Sequence, residues 1–201
     1  MPYNILRLTL SLFLISSLCN TLSAQSVWKN PIQKQGRLNS PLVETSPFVF
    51  NDRLYLLDVY SGEIVSVPLK NHGFGTVLTW NDSVYVFAGN YGKGKPWRQM
   101  TEITMTSSKD LKKWSKPKTI LKAEGGEFFF NTAVCRAKDK FVLLYETNDD
   151  RWKPFTFRYV ESTDLKNWNE IPNAVYGKDK YVGGPALYFE GGWYYTLYLE
   201  S

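Results

Sequence analysis

Three side chains in this sequence have the type and setting for proton transfer: Glu146, Asp58 and His72. Glu146 ends the run Leu143-Leu144-Tyr145-Glu146. Apolar neighbours favour the protonated form of a carboxyl group, which is the form a general acid needs. The same position also suits a strand-end carboxylate paired with Arg136 or Arg158. Asp58 follows Leu56-Leu57 in the same manner, or serves as a hydrogen-bonded turn residue. His72 is the only histidine and sits in Lys70-Asn71-His72-Gly73-Phe74-Gly75. Imidazole titrates near neutrality, which suits proton transfer; the other reading is an exposed loop histidine. No second histidine and no clustered cysteines accompany it, so neither a metal nor a cofactor is expected. The run Asn148-Asp149-Asp150 offers three adjacent oxygen ligands, too few to define a calcium loop.

The elements that must position these groups are hairpins. Phe48-Val49-Phe50, Val77-Leu78-Thr79-Trp80, Ala133-Val134-Cys135 and Ala186-Leu187-Tyr188-Phe189 are short apolar runs. Each is followed by a tight turn (Asn51-Asp52, Asn81-Asp82, Lys138-Asp139, Gly191-Gly192) and a second apolar run, the pattern of a β-hairpin. A second element repeats. Ser108-Lys109-Asp110-Leu111-Lys112-Lys113-Trp114 and Ser162-Thr163-Asp164-Leu165-Lys166-Asn167-Trp168 share the pattern S-x-D-L-x-x-W. Their spacing of roughly fifty residues matches one four-stranded propeller blade. Ser and Asp are expected to cap a turn by accepting from its backbone amides, while Leu and Trp fill the space between blades. No helical periodicity of useful length appears outside the N-terminus, so the fold class is all-β. The pattern predicts one short blade over about 44–69, full blades over about 72–121 and 128–176, and the first hairpin of a fourth. A closed propeller of five blades needs more, so the propeller reads as incomplete and the sequence as the N-terminal part of a longer design.

Residues 1–24 read as a secretory signal. Arg7 precedes an apolar run from Leu8 to Leu18, too short to span a bilayer, and Leu22-Ser23-Ala24 supplies small residues for cleavage before Gln25. Lipidation at Cys19 is the rival, but Leu18 is bulky where a small residue is needed. The propeller domain then occupies 25–201, in the periplasm or outside the cell, with no membrane segment once the signal is removed. Cys135 remains as the single thiol after cleavage and is expected to act as a small hydrophobe. The net charge of +5 is spread over turns, with no basic run interleaved with stacking aromatics, so nucleic acid is not an expected partner. The final aromatic hairpin would leave an open edge, which predicts self-association.

The S-x-D-L-x-x-W turns, the unit Ser46-Pro47-Phe48-Val49-Phe50-Asn51-Asp52-Arg53-Leu54-Tyr55-Leu56, and Gly184-Pro185-Ala186-Leu187 leading to Gly192-Trp193-Tyr194-Tyr195 resemble the five-bladed propellers of glycoside hydrolases. The likeness is to the superfamily of families 43, 32, 117 and 130. It implies a carbohydrate-active protein that takes an oligo- or polysaccharide and cleaves glycosidic bonds with a carboxylate pair; a non-catalytic binding propeller is the alternative. Family 43 would have an Asp before the Pro that opens blade one and a Glu before the Gly-Pro that opens blade four. This sequence has Thr45-Ser46-Pro47 and Gly183-Gly184-Pro185 there. Family 117 would use a His as acid, which bears on His72. In such propellers the starts of inner strands, among them Ser46, Phe74, Gly75, Thr132 and Gly184, and the ends of second strands face the ligand. That rule nominates Glu44, Asn90, Asn131, Asn148 and Glu200 as substrate-binding residues beside Glu146, Asp58 and His72.

Overall fold

The computed structural model describes residues 45–57, 67–96 and 98–201. The signal segment, Glu44 and Asp58 lie outside the described residues. Among the described residues every regular element is a strand, and the strands form four antiparallel sheets whose order in space follows the chain. Blade 1 contributes β1 (Ser46–Phe50) and β2 (Arg53–Leu57). Blade 2 is β3 (His72–Trp80), β4 (Ser83–Asn90), β5 (Glu102–Ser108) and β6 (Lys118–Lys122). Blade 3 is β7 (Phe129–Ala137), β8 (Lys140–Thr147), β9 (Thr156–Ser162) and β10 (Asn169–Tyr176). Blade 4 contributes β11 (Val182–Glu190) and β12 (Trp193–Glu200). Asn51-Asp52, Asn81-Asp82 and Gly191-Gly192 all have positive φ at both turn residues, the twist that suits two-residue hairpins.

Near-continuous apolar strands arise because each central blade is covered on both faces. Alternation divides β4: Val84, Val86 and Ala88 meet Phe48, Phe50 and Leu57 of blade 1, whereas Phe87 joins blade 3 through Val134, Phe141 and Leu143. In β8, Phe141, Leu143 and Tyr145 face blade 2, and Val142 and Leu144 meet Val182 and Leu187 of blade 4. Cys135 lies in this last core, and burial pushes its thiol up to about 11.

The two S-x-D-L-x-x-W turns have the same construction. Asp110 Oδ1 accepts from the amides of Lys112 (2.9 Å) and Lys113 (2.7 Å), and Asp164 Oδ1 from those of Lys166 (2.8 Å) and Asn167 (2.8 Å). Leu111 and Leu165 take positive φ, which costs about 1–2 kcal/mol for a residue with a Cβ. Burial of that side chain offsets the cost: Leu165 is 5% exposed. Trp168 stands edge-on to Phe87 of the preceding blade at 5.8 Å, and Trp114 packs with Leu111 against the core of blades 1 and 2.

The inner strands are stitched where they begin. Ser46 Oγ donates to the carbonyl of Gly75 at 2.8 Å, and Thr132 Oγ1 to that of Phe74 at 3.0 Å. At this same level β3, β7 and β11 each carry a bulge, two residues opposing one. Phe74-Gly75 face Ala88, Phe130-Asn131 face Glu146, and Gly184-Pro185 face Tyr198. A bulge re-aims the side chains it carries, and here it turns them toward the converging strand starts.

Candidate functional site

The bulges build a pocket of about 280 Å³ lined by Phe74, Arg98, Phe130, Asn131, Glu146, Phe155 and Tyr181. Glu146 is 2% exposed and is held from two blades. Asn131 Nδ2 donates to both of its oxygens at 3.1 Å, and the amide of Gly184 donates to Oε1 at 2.6 Å. An ionised carboxyl group only accepts hydrogen bonds, so donors on both oxygens suit the carboxylate form. The apolar run before Glu146, from which a role as general acid is expected, lies along the strand, whereas its head meets the Asn131 and Gly184 donors. Of the arginines weighed as partners, Arg136 lies over the Trp80 ring at 3.6 Å, while Arg158 is engaged by Glu127, Asp149 and Glu170.

One wall of the pocket is aromatic. Phe130 and Phe155 meet edge-to-face at 4.5 Å, and Phe155 and Tyr181 at 5.6 Å. Tyr181 is also tied to the missing blade-four acid. A Cβ built on Gly183 would lie 2.6 Å from the Tyr181 hydroxyl. The phenol thus fills the space that a side chain at position 183 would enter, the position at which the family 43 pattern has its Glu.

The other nominated residues lie elsewhere. His72 is buried inside β3, not exposed in a loop; its Nδ1 meets the Lys70 carbonyl at 2.7 Å, which assigns the proton to Nδ1. Burial lowers its pKa from the ordinary value, against the opposing effects of the Lys70 bond and Glu102. Asn90 donates to Glu102 at 3.3 Å and accepts from the Gly92 amide at 2.9 Å. Asn148 accepts from the Phe128 amide at 2.6 Å, closing the loop between blades 2 and 3. Glu200 pairs with Lys180 at 2.9 Å, which holds its carboxyl below the usual range. None of these four lines the pocket. Glu44 and Asp58 lie outside the described residues. Asp149 of the acidic run pairs with Arg151 and Arg158, and among the described residues no group of three or more His, Cys, Asp or Glu side chains is arranged to hold a metal.

A larger cleft, about 730 Å³, lies farther out between blades 2 and 3. Arg158 there is bound by Glu127 at 3.2 Å and Asp149 at 3.5 Å, and also by Glu170. Arg151 also pairs with Asp149, and these ion pairs tie the surrounding segments together. The smaller pocket is the better functional candidate, because the bulges of two inner strands, β3 and β7, and a buried carboxylate meet in it.

Sequence reasoning missed Arg98, Phe130, Phe155 and Tyr181, whereas the rule for inner-strand starts includes Phe74. The signal for the two bulge phenylalanines was present in Gly73-Phe74-Gly75 and Phe128-Phe129-Phe130-Asn131, where the strict alternation of a strand breaks.

This arrangement of blades defines a β-propeller. Its likeness among solved proteins is to propellers of sugar-cleaving enzymes. A family 43 β-xylosidase/α-arabinofuranosidase from a compost microbial metagenome, solved with xylotriose, matches 65% of this chain and 43% of its own, at 14% identity and a TM-score of 0.53. Another β-xylosidase matches 63% of this chain and 43% of its own (16% identity, TM-score 0.49). A family 32 β-fructofuranosidase from Bombyx mori matches 62% and 28% (16% identity, TM-score 0.39). The chain spans less than half the length of each. No protein-family profile and no curated protein sequence matches it. At this identity the likeness is one of fold: the chain carries a β-propeller fold like that of the family 43 enzyme.

Proposed function

We propose that the chain is the propeller of a carbohydrate-active protein, that the axial pocket binds a saccharide, and that Glu146 is one of the carboxylates acting on a glycosidic bond. The observation that carries this is Glu146 itself, a buried carboxylate in a pocket also lined by Phe130, Phe155 and Tyr181. Aromatic faces suit the apolar C–H face of a sugar ring, while the carboxylate suits positive charge developing at its anomeric carbon. With donors on both oxygens, Glu146 fits the base, nucleophile or charge-stabilising role rather than that of proton donor. Hydrolysis needs a second carboxyl group to protonate the leaving oxygen; Asp58 and Glu44 remain its candidates from the sequence. The leader read in residues 1–24 would place this activity outside the cytoplasm.

A binding-only role is favoured by one observation. The Tyr181 hydroxyl occupies the space beside Gly183 where the family 43 pattern has its acid. Turnover of a panel of aryl glycosides, measured beside binding of oligosaccharides, separates the readings. Hydrolysis abolished by Glu146→Gln supports the enzyme. Binding without product release, unchanged by further chain partners, supports the binding module. Absence of both overturns the saccharide assignment.

A further inference from the structure

The larger cleft between blades 2 and 3 contains a group that the fold does not use. Tyr145 of β8 is 1% exposed and lines this cleft, its ring edge-on to that of Phe129 at 5.1 Å. Among the described residues its hydroxyl takes part in no hydrogen bond. Burial pushes its pKa up, against the opposing pull of Arg158, so the phenol stays a protonated donor. A buried tyrosine usually finds a partner for its hydroxyl, and here the cleft of about 730 Å³ is the space left to it.

The polar groups around it are already held. Arg158 lies 5.8 Å from the centre of the Tyr145 ring and is bound by Glu127, Asp149 and Glu170. Arg151 Nε donates to the two oxygens of Asp149 at 2.8 and 3.0 Å, and Glu127 also accepts from Thr147 Oγ1. Carboxylates only accept hydrogen bonds, and guanidinium groups only donate them. Set side by side they oppose an ion of either sign, because each ion meets like charge on the same surface. A hydroxyl group both donates and accepts, so a ligand with several adjacent hydroxyls can bond to both kinds. The ion pairs fix these side chains beforehand, which leaves little ordering to be done on binding.

We propose that this cleft is a second binding site, for a neutral saccharide, with the Tyr145 hydroxyl donating to a ligand oxygen at its floor and Glu127, Glu170 and Arg158 meeting the ligand's hydroxyls. The site is separate from the axial pocket and does not depend on it. Tyr145 and Glu146 are neighbours on β8, so their side chains leave opposite faces of the blade: Tyr145 faces blade 2, and Glu146 reaches the Gly184 amide of blade 4.

The test is a titration of the isotope-labelled full chain with a panel of neutral trisaccharides built from xylose, glucose, galactose, mannose or arabinose, and with spermidine, followed by backbone amide shifts. Gly125 and Arg151 report on the cleft, Asn131 and Gly184 on the axial pocket. The expected result is that at least one sugar shifts Gly125 and Arg151. Tyr145→Phe should weaken that binding by about three- to tenfold, the worth of one hydrogen bond. It should leave the response of Asn131 and Gly184 unchanged, and also Tm, because the hydroxyl has no bond to lose in the unliganded protein. No shift at Gly125 and Arg151 with any sugar overturns the proposal, and shifts at Asn131 and Gly184 in the same titration leave the axial reading standing. Spermidine acting on the cleft more strongly than every sugar overturns it in favour of an organic cation. Binding by Tyr145→Phe equal to wild type removes the hydroxyl from the site and overturns it too. So does a lowered Tm of that variant, which would show the hydroxyl bonded within the protein.

Discussion

Replacing Glu146 by Ala and by Gln separates the work its shape does from the work its charge does. Alanine removes the acceptors for Asn131 Nδ2 and for the Gly184 amide, the latter reaching across from blade 4. An orphaned buried donor costs about 1–3 kcal/mol. Asn131 is half-buried and Gly184 is exposed, so water replaces part of each bond and about 3 kcal/mol in total is expected. In a domain of 150–250 residues that corresponds to a fall in Tm of about 6–12 °C. Glutamine keeps one oxygen for the Gly184 amide, and Asn131 can rotate its amide to present an oxygen to the new NH₂ group. Only the charge-assisted part of the bonds is lost, about 1 kcal/mol or about 2–4 °C. Urea unfolding followed by tryptophan fluorescence reads both differences. A tie between blades predicts a steep order, Ala far worse than Gln. Equal destabilisation by the two would refute the hydrogen-bond argument, and an Ala variant as stable as wild type would remove Glu146 as an interblade tie altogether.

Because burial depresses the His72 pKa, the folded state resists the proton that the unfolded chain takes up below about 6.5. Stability from this group is present above that pH and falls as the pH drops; Asn in place of His72 should flatten the Tm profile between pH 7.5 and 5. Asp110 and Asp164 act lower: the Lys113 and Lys112 amides, and the Asn167 and Lys166 amides, hold their carboxyls below the ordinary 3.8. Their stabilisation is complete above that value and lost beneath it, so an Asp110→Asn/Asp164→Asn variant should show a weaker acid-induced loss of stability than wild type. Gly183→Ala puts a methyl group against the Tyr181 hydroxyl and should weaken saccharide binding several-fold in titration while changing Tm little. Trp193, Leu197 and Leu199 are 71%, 63% and 69% exposed on β12, which predicts self-association in sedimentation velocity that replacement of all three by Lys abolishes.

The hairpins and the capped S-x-D-L-x-x-W turns were legible because their signals are local: two-residue turns, alternation, and Asp placed to accept amides two and three residues on. Glu146 and Asn131 were legible too, since strand direction brings the start of β7 beside the end of β8. The bulges were not. Gly73 and Gly75 read as loop residues and drew His72 into a loop, whereas the irregular register keeps all of them in β3. The same irregularity explains Asn90 and Glu200, which lie two residues past Ala88 and Tyr198, the residues that face the bulges of their blades. In β8 the residue facing the bulge is Glu146. Tyr181 and Arg98 sit in irregular segments, where no period fixes direction.

The tryptophan turns give the molecule an order in time. Trp168 closes over Phe87, and the segment carrying it lies about eighty residues later in the chain. Trp114 likewise closes over a core that begins at Phe48. During synthesis a blade therefore emerges with its apolar face bare and stays so until the third strand of its successor has left the ribosome. At about 5–20 residues per second that wait lasts seconds, long against hairpin formation in microseconds. Chaperone demand should peak in that interval, and rare codons placed between Phe87 and Trp168 would lengthen it.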